Sequence, residues 1–396
     1  MIKDRYDLVV VGAGPAGSST AKTAAKAGFD VLLIEKRQEI GDPVRCAEGA
    51  GKKGIKRHVK PDPRWISAEV KGSRIFAPDG TKLEISEERS GAEVGYVLER
   101  KIFDRVLAEQ AADAGAEVMV KTPATGLITK NGQVVGIRGR SLGEAVEIKA
   151  GLVVGADGVE SLVGRWAGIN TTLAPSEIET CAQFLLKGVR NDDHSEFYLS
   201  NKLAPGGYAW VFPKGDGMAN VGIGVLGSRS EGGMPIELLS RFVNDKFPSA
   251  KVVEVIVGGV PVCGPIERTI ADGLMLVGDA ARQSDPLTGG GILNALDVGV
   301  IAGEVAAGSL EEGDVSREAL GEYEKRWREK IGVSLERSLV VKERLVQLSD
   351  EDLNTLAHSI KDRNISKMGL FGMVSLLFKT NPKLLWSFRK LFKSKG

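Results

Sequence analysis

Residues 6–17 read Tyr6-Asp7-Leu8-Val9-Val10-Val11-Gly12-Ala13-Gly14-Pro15-Ala16-Gly17. The run to Val11 is apolar without alternation, the pattern of a parallel strand buried on both faces. Residues 16–27 are alanine-rich and predict a helix that stops at Gly28. Residues 31–34 predict a second buried strand, and Glu35 ends it, 23 residues after Gly12. Between strand and helix stands G-x-G-x-x-G. Gly12 makes the tight turn, Gly14 lets backbone approach a pyrophosphate, and Gly17 lets the helix pack on the strand. Pro15 and Ala16 open the helix, whose N-terminal N–H groups face the anion. A carboxylate at Glu35 accepts hydrogen bonds from ribose hydroxyls and repels a 2′-phosphate. The unit predicts a dinucleotide site. The motif alone does not separate FAD from NAD.

Two later strings extend the reading. Val154-Gly155-Ala156-Asp157-Gly158 follows a strand expected at 152–155, and Val277-Gly278-Asp279-Ala280-Ala281 follows one expected at 274–277. The second leads to Asp285-Pro286-Leu287-Thr288-Gly289-Gly290-Gly291-Ile292, with a helix expected from about residue 290. Alone, each is also a common strand-ending turn. Residues 133–138 and 126–129 read as a hairpin across Asn131-Gly132, and 178–226 reads as an antiparallel sheet. The chain therefore predicts an α/β protein with a discontinuous Rossmann-like nucleotide domain (1–65, 96–170 and 265–310). A substrate domain of antiparallel sheet (66–95 and 171–264) is inserted in it, and a helical region (311–396) follows.

Lysine plus arginine is 53 and aspartate plus glutamate 52, a formal net charge of +1. This excludes nucleic acid as a general partner. Apolar residues at 42% exclude a disordered, solvating chain. Three cysteines without C-x-x-C spacing argue against a disulfide scaffold or a metal site, and fit a reducing compartment. The charged start Lys3-Asp4-Arg5 leads us to expect no signal peptide. No spanning helix is expected either.

The near-zero sum conceals a split. Residues 364–396 carry seven basic side chains and no acid, leaving −6 on residues 1–363. Leu384, Leu385, Phe388, Leu391 and Phe392 fall on one helical face, with Lys383, Arg389, Lys390 and Lys393 on the other. Such an end suits an anionic membrane surface or covers a pocket.

Together, the three strings resemble the FAD-dependent monooxygenase-like superfamily that includes p-hydroxybenzoate hydroxylase. Two further strings resemble its geranylgeranyl reductase family. These are Pro43-Val44-Arg45-Cys46-Ala47-Glu48-Gly49, and Tyr208-Ala209-Trp210-Val211-Phe212-Pro213 followed, after eight residues, by Gly222-Ile223-Gly224. The resemblance implies FAD as cofactor. It implies flavin contacts by Arg45, Cys46, Ala47, Gly49, Arg100, Asp157, Asp279, Gly290, Gly291 and Ile292, and an adenine contact by Ala124. It makes Tyr208, Trp210 and Phe212 a substrate-pocket wall rather than an ordinary core face, with Cys46, Tyr208 and Trp210 as candidates for the chemistry. No histidine (His58, His194, His358) lies in a recognised motif, and no metal is implied.

The implied activity is hydrogenation of the C=C bonds of geranylgeranyl chains on glycerophospholipids. Other readings are a geranylgeranyl diphosphate or chlorophyll-type reductase, an FAD-dependent aromatic hydroxylase, and a flavin-containing lipid-binding protein without turnover. Nicotinamide, ferredoxin and deazaflavin all remain open as electron donor. A cytoplasmic monomer associated peripherally with the membrane is expected.

Overall fold

The computed structural model describes residues 3–86, 95–190 and 193–361. The basic amphipathic segment at 383–393 lies outside the described residues.

The first strand, Arg5–Val11, is central to an eight-stranded sheet. It pairs in parallel with Val31–Ile34 on one side and with the end of Glu144–Gly155 on the other. Leu274–Leu276 and Glu117–Met119 extend the parallel set outward. The absence of alternation in 8–11 has a direct cause. Leu8 and Val10 pack on one face among Ala21, Ala24, Val298 and Ala302, while Val9 and Val11 pack on the other with Leu127, Val134 and Ile137. The second face is covered by the Ala124–Lys130/Gln133–Ser141 hairpin, which turns at Asn131-Gly132 with both residues at positive φ.

Helices Pro15–Lys26 and Ile292–Glu312 pack so closely that glycine is needed between them. A Cβ at Gly299 would stand 2.5 Å from the Ala16 carbonyl oxygen, and one at Gly303 would stand 2.5 Å from Thr23 Cβ. The second of these helices, Ile292–Glu312, is 21 residues long. It has the length and hydropathy of a membrane span, yet 67% of its most apolar window is buried inside the protein. It is a core helix.

A seven-stranded sheet forms the second layer. Its order is Lys251–Pro261, Ile178–Lys187, Met218–Leu226, Ala209–Gly215, His194–Tyr198, Gly72–Phe76 and Lys82–Ser86. One face is sealed by helix Met234–Lys246 through Leu239 and Val243. The other faces the nucleotide domain. Strand Ile66–Val70, expected in this sheet, instead pairs with Gly95–Leu98, which also pairs with Gly49–Gly51. This three-stranded sheet bridges the two layers, because Val70 and Val97 pack on Trp210 and Phe212 while Tyr96 and Leu98 pack on Trp65 and Phe103. The chain then continues through helices Gly321–Trp327, Val333–Leu345 and Asp350–Ile360. The last is capped at Ser349, whose hydroxyl accepts from the Asp352 N–H.

Candidate active site

Two cavities meet between the layers. A cavity of about 250 Å³ is lined by Gly12, Gly14, Glu35, Ala124 and Asp157. A larger one, about 550 Å³, is lined by Pro15, Ala16, Cys46, Ala47, Gly49, Gly290, Gly291 and Ile292 and by all three aromatics Tyr208, Trp210 and Phe212. Gly14, Arg45, Arg100 and Asp279 line both. Residues far apart in the chain thus converge on one continuous crevice at the C-terminal ends of the parallel strands, where such sheets bind ligands. Gly17 lines neither cavity. A Cβ there would lie 1.9 Å from the Gly12 carbonyl oxygen, so its role is helix–strand packing.

The three glycines of the turn differ in what requires them. At Gly12 (φ +110°) a Cβ would meet the Ala156 carbonyl oxygen at 2.3 Å. At Gly14 a Cβ meets nothing within 4 Å, and φ is −75°. No protein atom forbids a side chain at Gly14, which opens onto both cavities. Glu35 stands beside it, accepting from the Ala13 and Arg37 N–H groups at 3.2 and 3.1 Å. At the other end Asp279 lies against the helix start, where a Cβ at Gly291 would be 3.2 Å from its Oδ1. Its side chain has no hydrogen bond among the described residues, and burial raises its pKa. Asp157 accepts from the Val163 N–H at 2.9 Å, but its buried Oδ1 lacks a partner. An open glycine cradle and acceptors awaiting hydroxyl donors fit the pyrophosphate and polyol of FAD.

Arg100 is fixed by a bidentate pair with Asp104, both contacts at 2.7 Å. Burial is the largest single influence and opposes its charge, but Asp104, Cys46 and Glu48 together raise its pKa. Arg45 reaches Glu160 at 3.4 Å near the cavity mouth. Between them, residues 45–49 are held by a buried hub that the sequence reading missed. Glu48, 4% exposed, accepts from Lys214 Nζ (2.6 Å), Asn220 Nδ2 (2.7 Å) and the Arg100 N–H (2.7 Å). The Cys46 carbonyl accepts from Gln183 Nε2 at 3.2 Å, and Cys46 Sγ accepts from the Glu48 N–H. Burial pushes the Cys46 thiol up against the lowering effect of Arg100, which keeps it neutral near pH 7.

The floor of the larger cavity is the inward face of the seven-stranded sheet. Cross-strand register sets Trp210 beside Gly222, Gly222 beside Gln183, and Gln183 beside Ile256. The next inward row places Tyr208, Gly224, Cys181 and Gly258 in line. The glycines of G-x-G thus vacate space in these rows for neighbouring side chains. Trp210 donates from Nε1 to Gln183 Oε1 at 2.8 Å, and Tyr208 donates to the Thr288 carbonyl at 2.6 Å, tying the aromatic wall to the glycine turn. Phe212 presses on Gly49, where a Cβ would stand 2.9 Å from its ring. Glu179, Cys181 and Gln183 share this face by the two-residue period of the strand. That alternation of polar residues in an apolar strand was the available signal for Gln183 and Glu179.

The chain is similar to known proteins over its whole length. The family model for the geranylgeranyl reductase catalytic domain matches residues 177–260, and that for an FAD binding domain matches residues 5–185. A digeranylgeranylglycerophospholipid reductase of Methanothrix thermoacetophila is 62% identical, covering 98% of this chain and 99% of the relative. Digeranylgeranylglycerophospholipid reductase 2 of Methanococcoides burtonii is 60% identical, with 99% and 97% covered. A geranylgeranyl bacteriochlorophyll reductase-like crystal structure from Thermoplasma acidophilum superposes with a TM-score of 0.93 at 40% identity, covering 98% and 99%.

Proposed function

The chain belongs to the digeranylgeranylglycerophospholipid reductases of the geranylgeranyl reductase family, and from that premise we propose that it hydrogenates the prenyl double bonds of a digeranylgeranyl glycerophospholipid. It is an FAD-dependent oxidoreductase. The observation that carries the reading is the aromatic sheet face, Tyr208, Trp210 and Phe212, lining the same cavity as the Thr288–Gly291 turn.

Reduced FAD, when bound, supplies a hydride. The chain's own residues do the rest. Gly12, Gly14 and the first turn of Pro15–Lys26 would hold the pyrophosphate, Glu35 the ribose, and Asp279 the polyol chain. The amide groups opening Ile292–Glu312 favour negative charge beside the ring. An isolated alkene has no carbonyl to accept electron density, so proton addition must accompany hydride addition. Positive charge then develops at the more substituted carbon, and the π faces of Tyr208 and Trp210, which line the cavity, stabilise it. Tyr208 keeps its proton, because burial drives its pKa well up. A hydride donor of nicotinamide or deazaflavin class, or two one-electron equivalents from a ferredoxin-class donor with protons from water, completes the cycle.

The substrate draws the chain to a membrane surface, as the basic end of the sequence also suggests. Strand Lys251–Pro261 adds an apolar row at the sheet edge: Val253, Val255 and Val257 are 59%, 57% and 62% exposed. Flotation with anionic liposomes tests this part. Binding that is undiminished by deletion from Ser366 onward removes the terminal segment from the role.

The test of function is lipid mass spectrometry in a host that makes unsaturated archaeol-type lipids, with and without this chain. Stepwise gains of two hydrogens per double bond are expected. Oxygen incorporation into an aromatic compound, with the lipids unchanged, would overturn the reading.

A further inference from the structure

The reaction needs a proton donor, and none of the residues singled out from sequence supplies one. Resting on the function proposed above, we propose that Glu179 is the acid that delivers the proton to the prenyl double bond.

The carboxyl lies on the inward face of Ile178–Lys187 and lines the larger cavity with the aromatic wall. Two glycines make room for it. A Cβ at Gly224 would stand 2.5 Å from Glu179 Oε2, and one at Gly207 would stand 3.2 Å from Oε1. Thus the second glycine of G-x-G leaves the space that this carboxyl occupies. Glu179 is 8% exposed, and its carboxyl has no hydrogen bond or ion pair among the described residues. A buried carboxyl without partners is held in the acid form, and burial raises Glu179 to about 7 against the opposing pull of Lys342. The titratable groups acting around it are few. Lys342 belongs to Val333–Leu345 and donates to the Ser176 carbonyl, while Cys181 and Tyr208 each feel the carboxyl from the cavity side.

The other candidates in the cavity are committed or too weak. Tyr208 donates to Thr288, and burial weakens it as an acid along with Cys46 and Cys181. Glu48 already accepts from three donors. Asp279 sits on the cofactor side, against Gly291. His58 pairs with Asp297 and His358 with Asp79, and no histidine lines the cavity.

In the step, the alkene π bond breaks and its electrons form a C–H bond with the Glu179 proton at the less substituted carbon. Hydride from reduced flavin forms the second C–H bond at the more substituted carbon. The alkene gains two electrons and the flavin loses two. Glu179 is left as carboxylate and is reprotonated from water.

The test uses the full FAD-loaded chain, reduced anaerobically and mixed with digeranylgeranyl glycerophospholipid in detergent micelles. Wild type, Glu179→Gln and Glu179→Asp are compared. The Gln variant is expected to bind FAD normally but to slow lipid-driven flavin reoxidation by about 10²- to 10⁴-fold, with partial recovery in the Asp variant. An independent readout needs no turnover. In substrate-free protein, the infrared band of a protonated carboxyl should titrate near pH 7 and be missing from Glu179→Gln. A Gln variant as fast as wild type, or a wild type without that band, would overturn the assignment. A wild type whose reduced flavin the lipid never reoxidises would instead overturn the proposed function, and the assignment with it.

Discussion

The Trp210 indole lies across the backbone of Gly222, where a Cβ would stand 2.2 Å from Cζ2 and 2.8 Å from Nε1. The ring position depends on a missing side chain one strand away, and its N–H is spent on Gln183. Gly222→Ala should push the indole off this seat, break that hydrogen bond and cost about 1–3 kcal/mol by overpacking. Urea unfolding of the FAD-bound protein measures it. Trp210→Phe, with a smaller ring, should recover part of the loss in the double variant, a coupling that independent sites do not show. Additive losses would refute the packing argument.

Gly12 and Gly14 should separate folding from cofactor binding. Gly12→Ala places a Cβ 2.3 Å from a backbone oxygen at φ +110°, so the isolated protein should be strongly destabilised. Gly14→Ala meets no protein atom. Without cofactor it should retain stability to within about 1 kcal/mol, the scale of a Gly-to-Ala change at a helix N-cap. It should nevertheless lose FAD, as read by flavin absorbance after gel filtration. Normal FAD retention by Gly14→Ala would show that the open space is not the pyrophosphate seat.

Lys214 and Glu48 form a buried pair at 2.6 Å, with side chains 6% and 5% exposed. Lys214→Met leaves the Glu48 carboxylate uncompensated apart from its N–H donors, and should cost about 3–5 kcal/mol. Adding Glu48→Gln should restore much of that, because the buried charge is then gone. Denaturant midpoints of the two singles and the double decide it. Because Glu48 also orders residues 45–49, weaker FAD affinity should accompany the single change at Lys214.

These cases also mark what could be read from sequence. Gly12, Gly14 and Glu35 were legible because turn, helix start and strand end are local, and one chain segment holds them all. Asp279, Gly290 and Gly291 were legible through their string, although only the fold brings them to Gly14. Glu48 stood inside a quoted string, yet its role comes from Lys214 and Asn220, over 160 residues away. Alternation along the strand puts Gln183 and Glu179 on one face, but only cross-strand register brings them to Trp210 and Gly224. Ile66–Val70 was assigned to the neighbouring sheet because alternation reveals a half-buried strand but not its partner.

Glu179 should impose a pH dependence on stability of defined sign. Its ordinary value is 4.5, and burial raises it to about 7 in the folded protein. Below pH 4.5 both states hold the proton and burial of the neutral acid carries no charge penalty. As pH rises, the unfolded chain releases the proton first, so the folded state binds more protons and stability falls. The fall ends near pH 7, where the folded state also ionises, and amounts to roughly 3 kcal/mol at about 1.4 kcal/mol per unit. Glu179→Gln has no proton to lose there. The difference in unfolding free energy between variant and wild type should therefore grow in favour of Gln from pH 5 to pH 7 and level off above. Urea melts of both proteins across that range provide the comparison. Parallel curves would mean that the carboxyl is ionised in the folded state throughout, and that it has no proton to offer an alkene at neutral pH.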